Sequence, residues 1–321
     1  MKSMRFLACA AALALVPALA AAQAYPSKPV RIIAPFAAGT GPDANARELA
    51  AELSKHLGQS VVVENRPGAA GIIGTDAAAK APADGYTLYI GTTSTMSTVP
   101  HLYGKLPFNA EKDFVPVSLL GALNTGLIAN PQVGAKNAAE LVTLIKRQPQ
   151  ALNVATQGIG SYSHLSGLWF GFATDTKPSF VPYNSNSPYG DLIGGQVQLM
   201  FDGLPAAVGN IHGSKLKLLA ITGTKRHPAF PDTPTFTELG IQGYAPVAWQ
   251  GLLAPAGTPK PVIDRLAAAM KLVPGNAELA KKWVSYGGEL VCNTPAEFEA
   301  FIKEDRAMWG KIIRQAGVRL D

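Results

Sequence analysis

Three short turns carry the side chains most able to do chemistry. They run from Phe36 to Asp43, from Gly91 to Ser97 and from Thr156 to His164, and each follows a short apolar run and leads into a helical repeat. All three are rich in Gly, Ser and Thr. They offer backbone N–H groups, hydroxyls and the positive end of a helix, a combination that suits an anion. The same residue types also build ordinary caps and turns, and Asp43 reads as the cap of the first helix. Asp202 follows the apolar stretch Val197 to Phe201 at a strand end. There it either pairs with a ligand amine or orders a loop.

Other chemistries lack their residues. Gly39-Thr40-Gly41-Pro42-Asp43-Ala44 misses the last glycine of a dinucleotide fingerprint, and no Gly-Lys-Ser/Thr of a phosphate loop occurs. A Gly-x-Ser-x-Gly nucleophile elbow is absent. Ser161 and His164 are close in the chain, so a hydrolase built on them remains an alternative that only geometry decides. His56, His101, His164, His212 and His227 are isolated, and no CxxC pair is present. No metal or cofactor is expected.

The elements that must position these turns alternate between strand and helix. Val30 to Phe36, Ser60 to Glu64 and Tyr86 to Gly91 read as buried strands. Between the first two, Ala46, Leu49, Ala50, Leu53 and Leu57 repeat at helical spacing up to Gly58, and a short helix over Gly71 to Lys80 precedes the third. Strands joined by helical crossovers form a parallel sheet covered on both faces. A second module follows, with strands at Leu127 to Ala129, Leu152 to Ala155, Phe180 to Tyr183, Val197 to Phe201 and Leu216 to Ile221. Asn137 with Glu140 marks one helix start, and Leu165, Leu168 and Trp169 lie on another helix. Thr294-Pro295-Ala296-Glu297 opens the last helix as a capping box. The expected fold is therefore α/β, two mainly parallel sheets flanked by helices. The two modules are joined by extended crossings near Val117 to Asn130 and Gly223 to Leu252. The expected division is 25–125 with 248–321 in one domain and 126–247 in the other, with a cleft between them that closes by hinging.

The N-terminus reads as an export leader. Lys2 and Arg5 precede an apolar run from Leu7 to Leu19, about a dozen residues and too short to span a bilayer, and Ala22-Gln23-Ala24 supplies small residues for cleavage after Ala24. The mature chain would then start at Tyr25, retain Cys292 as its single cysteine, and drop from a formal charge of +6 to +4 by losing Lys2 and Arg5. A lone thiol forms no internal disulfide. The basic residues are scattered, which argues against nucleic acid.

An ordered series of short motifs resembles one known family. Tyr25 to Arg31, Pro35 to Gly39, Asp43 to Arg47, Val63 to Ala69, Asp84 to Leu88, Leu106 to Phe108, Lys112 to Phe114, His164-Leu165, Val181 to Tyr183, Gly194 to Asp202 and Ala254 to Pro259 look like the receptors of tripartite tricarboxylate transporters, the Bug family. The resemblance runs from Tyr25 to the C-terminus. It implies a type II-like periplasmic clamp without enzymatic activity that holds a small carboxylate (an amino acid, or a di- or tricarboxylate) and delivers it to membrane carrier subunits. Carried over by position, the contacts fall on Phe36, Ala38, Gly39 and Thr40, and on Thr92, Ser94 and Thr95. In the second domain they fall on Thr156, Gln157, Ser161, His164, Tyr183 and Asp202. Two positions depart from the family pattern: Thr40 stands where a second glycine is usual, and Asn184-Ser185 where lysine and glycine are usual. The same clamp would also serve a sensor partnered with a membrane kinase.

Overall fold

The computed structural model describes residues 25–148, 152–183, 187–285 and 287–320. The expected leader and the Asn184-Ser185 departure lie outside the described residues.

Chain order gives β1 (Val30–Ala34), α1 (Gly41–Leu57), β2 (Val61–Asn65), α2 (Ile72–Ala79), β3 (Thr87–Thr92) and, after a wide turn at Ser94–Thr98, α3 (Val99–Leu102). Then come β4 (Phe114–Ala129), α4 (Ala138–Arg147), β5 (Asn153–Thr156), α5 (Tyr162–Thr174), β6 (Ser179–Pro182), α6 (Tyr189–Gly194), β7 (Leu199–Gly203), α7 (Val208–His212) and β8 (Lys217–Ile221). The chain ends with β9 (Val247–Pro255), α8 (Lys260–Met270), α9 (Ala277–Ser285), β10 (Gly288–Leu290) and α10 (Pro295–Ala316).

The strands form two sheets that share β4. In the first, β2, β1 and β3 run parallel, and β3, β9 and β4 pair antiparallel. In the second, β6, β5 and β7 run parallel and β4 lies antiparallel to β7 and β8. The handover is sharp: Asn124 of β4 pairs with Val247 of β9, and Thr125 already pairs with Gly203 of β7. The stretch expected to be a joint near Val117 is thus ladder-bonded along its length. Register shifts at Pro116/Ser118 and Leu119/Gly121 accommodate a proline that has no N–H to give. The last part of the chain also contains a strand, β10, beside its helices.

Burial explains these elements. In β1, Ile32 and Ala34 face one core and Ile33 the opposite one, as a strand covered on both sides requires. Leu127 and Ala129 against Ile128 do the same in the second sheet. Helix α1 buries Ala46, Leu49, Ala50 and Leu53 against the first sheet and stops at Gly58, whose φ of 72° suits glycine. The capping box at Thr294 and Glu297 forms as expected. Helix α10 then serves both sheets. Phe298 and Ile302 pack into the first-sheet core, while Trp309, Ile312 and Ile313 pack into the second. Opposite Phe298, a Cβ on Gly251 would come within 2.1 Å of the ring, so glycine is what lets the helix seat.

Candidate functional site

Between the two sheets lies a cavity of about 870 Å³, within the range of small-molecule sites. Its first wall is built from the turns that follow β1, β2 and β3: Pro35, Phe36, Pro42 and Asn45; Gly68, Ala70 and Gly71; and Thr92 to Thr95. These are the carboxyl ends of parallel strands, where open sheets place ligands. The starts of α1, at Pro42 and Asn45, and of α2, at its cap Gly71, lie on the same space. The opposite wall holds Gln157, Tyr162, Asp202, Gly203, Pro205 and Ala206. Strands β4 and β9 supply the floor, with Leu123 from β4 and Ala248, Trp249 and Gln250 from β9.

The turns of the first wall are held by side chains. Thr95 Oγ1 accepts from Tyr89 Oη at 2.8 Å and from Thr92 N at 3.2 Å, and Tyr89 Oη meets Thr75 Oγ1 at 2.7 Å. Thr93 Oγ1 donates to Val247 O and accepts from Trp249 N at 2.9 Å, tying this turn to β9. The turn before α2 is left-handed throughout, with φ of 124° at Gly68, 47° at Ala69, 53° at Ala70 and 90° at Gly71. Two alanines in that region cost about 1–2 kcal/mol each, and strain of this kind gathers at ligand sites. The turn is closed by its own backbone, Gly71 N donating to Gly68 O at 2.9 Å. A Cβ on Gly71 would lie 2.6 Å from Thr95 Cγ2, so the two turns are packed together. Gln250 accepts from Asn45 Nδ2 at 2.8 Å and donates to Pro42 O at 3.1 Å, linking α1 to the floor.

Of the residues singled out in the sequence, Phe36, Thr92, Ser94, Thr95, Gln157 and Asp202 line this cavity. Ala38, Gly39, Thr40, Thr156, Ser161, His164 and Tyr183 are not on its lining. Ala38, Gly39 and Thr40 are exposed. Thr40 is the residue before α1, with an unstrained φ of −79° and a hydroxyl that donates to Ala37 O, so a second glycine is not needed there. Asp43 is not the cap itself. It lies in the first turn and accepts from Gly39 N, Arg47 Nε and Asn65 Nδ2. Burial opposes its ionisation, but these donors outweigh burial and hold the carboxyl below its usual value.

Thr156 is buried and its hydroxyl has no hydrogen-bond partner among the described residues. Ser161 caps α5 by accepting from His164 N at 3.3 Å and also meets Ser163 Oγ at 3.0 Å. His164 Nδ1 accepts from Gly160 N at 3.1 Å, and the ring packs edge-on to Phe180. Burial lowers its pKa. No Ser161–His164 side-chain hydrogen bond forms, so the pair does not make the contact a nucleophile and its base require. Tyr183 Oη donates to Asp191 Oδ2 at 2.7 Å, outside the cavity wall.

The sequence reading did not assign site roles to Tyr162, Asn45, the Gly68–Gly71 turn, Trp249, Gln250 or Trp283. The lone amide of Gln250 in an apolar strand was the available signal. Asp202 is the most consequential group on the second wall. Its Oδ1 accepts from Gly203 N at 2.8 Å, and its Oδ2 accepts from Tyr189 Oη at 3.1 Å and Gln157 Nε2 at 3.4 Å. Burial nevertheless pushes its carboxyl up to about 6. Among the described residues no group of three or more His, Cys, Asp and Glu is placed to hold a metal. Cys292 is buried against Leu120 O, and burial pushes its thiol up to about 12.

Comparison with known proteins places this chain in a family. Residues 45–318 match the profile of the tripartite tricarboxylate transporter family receptor. The solved periplasmic binding protein BugD is 34% identical and superposes with a TM-score of 0.78 over 92% of this chain and 99% of its own. Rpa4515 of Rhodopseudomonas palustris, solved with adipate, is 31% identical, with a TM-score of 0.81 over 92% of this chain and 99% of its own. MatC from the same organism, solved with bound malate, is 32% identical, with a TM-score of 0.77 over 90% of this chain and 100% of its own.

Proposed function

Because this chain belongs to the tripartite tricarboxylate transporter receptor family, a family of solute-binding proteins, we propose that it captures a small carboxylate in the cavity between its sheets and delivers it to the membrane carrier of such a transporter. The observation that carries this reading is the composition of the first wall. Three turns at strand ends bring hydroxyls, amides and helix starts to one space, and among the described residues the only cationic side chain on the lining, Lys282, is engaged by Glu48. An anion held there is held by N–H and O–H donors rather than by a salt bridge. Adipate and malate in the related structures fit this chemistry.

The reading extends to place and motion. The receptor works outside the cytoplasmic membrane, exported by the leader ending at Ala24, and no helix among the described residues is long and apolar enough to cross a membrane. Residues 25–125 with 248–321 move against 126–247, bending where β4 changes partner. Turnover is not part of the function. The test is a titration of the exported chain with mono-, di- and tricarboxylates, followed by tryptophan fluorescence, since Trp249 and Trp283 line the cavity. One saturable site, with the acid recovered intact, is the expected result. Acids that fail to bind, or that are consumed, would overturn it.

A further inference from the structure

The last helix reaches back to the first wall of the cavity. Arg306 of α10 donates through Nε to Met96 O at 2.8 Å and through a terminal nitrogen to Ala110 O at 3.2 Å, and it pairs with Glu111 at 2.9 Å. Met96 is the middle residue of the wide turn Ser94–Thr98, whose Ser94 and Thr95 line the cavity. Beside Arg306, Asp305 accepts from Trp249 Nε1 at 2.8 Å. Trp249 is on the cavity floor, and its backbone N–H donates to Thr93 Oγ1 just ahead of the wide turn. Ser97 and Trp309 face the same carboxylate without closing a hydrogen bond to it.

Asp305 and Arg306 are both buried, and neither lines the cavity. Buried charge is costly, and apolar side chains of similar volume often hold a fold as well or better. Helix α10 already seats itself through Phe298, Ile302 and Trp309. What the two charged groups add is a fixed place for the turn. That turn is closed by Val99 N donating to Ser94 O, five residues back, a rare conformation found mostly at functional sites. Resting on the carboxylate-receptor reading, we infer that Asp305 and Arg306 are positioning residues for ligand binding: from α10 they hold Trp249 and the wide turn so that Ser94 and Thr95 are presented to the bound acid. They act through these residues and do not touch the ligand.

The test is calorimetric titration of the exported chain at pH 7.5, well below its melting point, with acetate, malate, adipate and citrate. The acid that binds best is then titrated into the variants. Asp305→Ala should weaken it at least about tenfold in a chain that melting shows to be folded. Asp305→Asn keeps an oxygen for Trp249 Nε1 and should bind within about threefold of the native chain. In Thr95→Ala, where the turn has lost its own clamp, adding Asp305→Ala should cost less than about threefold more, because coupled residues are not additive. Unchanged affinity in Asp305→Ala overturns the inference and leaves the receptor reading standing. So does a loss that Asp305→Asn fails to recover, or one that multiplies in full with Thr95→Ala. If none of the four acids binds the folded native chain, both readings fall. Should Asp305→Ala not fold, Arg306→Lys decides: one ammonium does not replace the guanidinium fork on Met96 O, Ala110 O and Glu111, so affinity should fall at least about fivefold, and unchanged affinity overturns the inference.

Discussion

The hydroxyl of Tyr162 is hydrogen-bonded to that of Thr125, the residue at which β4 leaves β9 for β7. Thr125 Oγ1 also donates to Pro246 O at 3.0 Å, and Thr125 N donates to Thr222 Oγ1 at 2.8 Å. Tyr162 lines the cavity, so one side chain touches both the ligand space and the crossing between sheets. Tyr162→Phe removes one partner and leaves Thr125 its bond to Pro246. Urea melts should show a loss of about 1 kcal/mol, the usual net worth of a hydrogen bond. An unchanged midpoint and slope would mean that the bond contributes nothing at the crossing.

Thr95 joins two turns of the first wall through its hydroxyl and its methyl. Thr95→Ala leaves Tyr89 Oη with Thr75 as its partner and frees the turn from Thr92. Stability should fall by about 1–2 kcal/mol, and carboxylate affinity should fall several-fold. Thr95→Ser keeps the oxygen and should restore most of the affinity in the same titration. Equal affinity in all three proteins would remove this turn from the site.

Ser161 has the opposite expectation. Its hydroxyl caps α5 and lies off the cavity lining. Ser161→Ala should cost about 1 kcal/mol of stability, as lost caps do, and leave ligand affinity within about twofold, less than one neutral hydrogen bond. A large affinity loss at unchanged stability would put Ser161 back among the contacts.

The carboxyl of Asp202 is raised from 3.8 to about 6 by burial. Its folded pKa therefore lies above its unfolded value, and its ionisation opposes folding. The ligand-free protein should lose stability as pH rises from about 4 to about 6, by at most about 3 kcal/mol from this group. Water in the cavity reduces that figure. Asp305, which accepts from Trp249 Nε1 at 2.8 Å and is also raised to about 6 by burial, contributes with the same sign. Asp202→Asn should accordingly melt higher than the native chain at pH 7 and no higher at pH 4. The same increment at both pH values would contradict this origin.

Much of this architecture was readable in the residues. Val30 to Ala34 is apolar apart from Arg31, and Leu49, Leu53 and Leu57 keep helical spacing, because each has one environment and one period to satisfy. The continuity of β4 was hidden. Pro116, Gly121 and Gly126 interrupt the strand pattern, and the ladder passes them by shifting register and by changing partner. Strand β10 was missed because three residues carry no period. Along the cavity, the turn after β3 was legible from its Ser and Thr content, whereas of the residues singled out in the turn after β1 only Phe36 lines it. The turn at Gly68 was not assigned to the site, since its contribution is backbone shape and Ala69 and Ala70 advertise no left-handed conformation. Ser161, His164 and Tyr183 carry suggestive chemistry, but capping, core packing and the bond to Asp191 use it elsewhere.

The most direct test of the central claim is a thermal-shift comparison of carboxylic acids with their neutral primary amides on the exported chain. An acid present at about 100 times its dissociation constant should add about 2.7 kcal/mol, a rise on the order of 5 °C for a chain of this size. Its amide should leave the melting point where it was. Acids and amides that shift it equally, or a panel of acids that leaves a folded protein unmoved, would contradict the account of the cavity as an anion receptor.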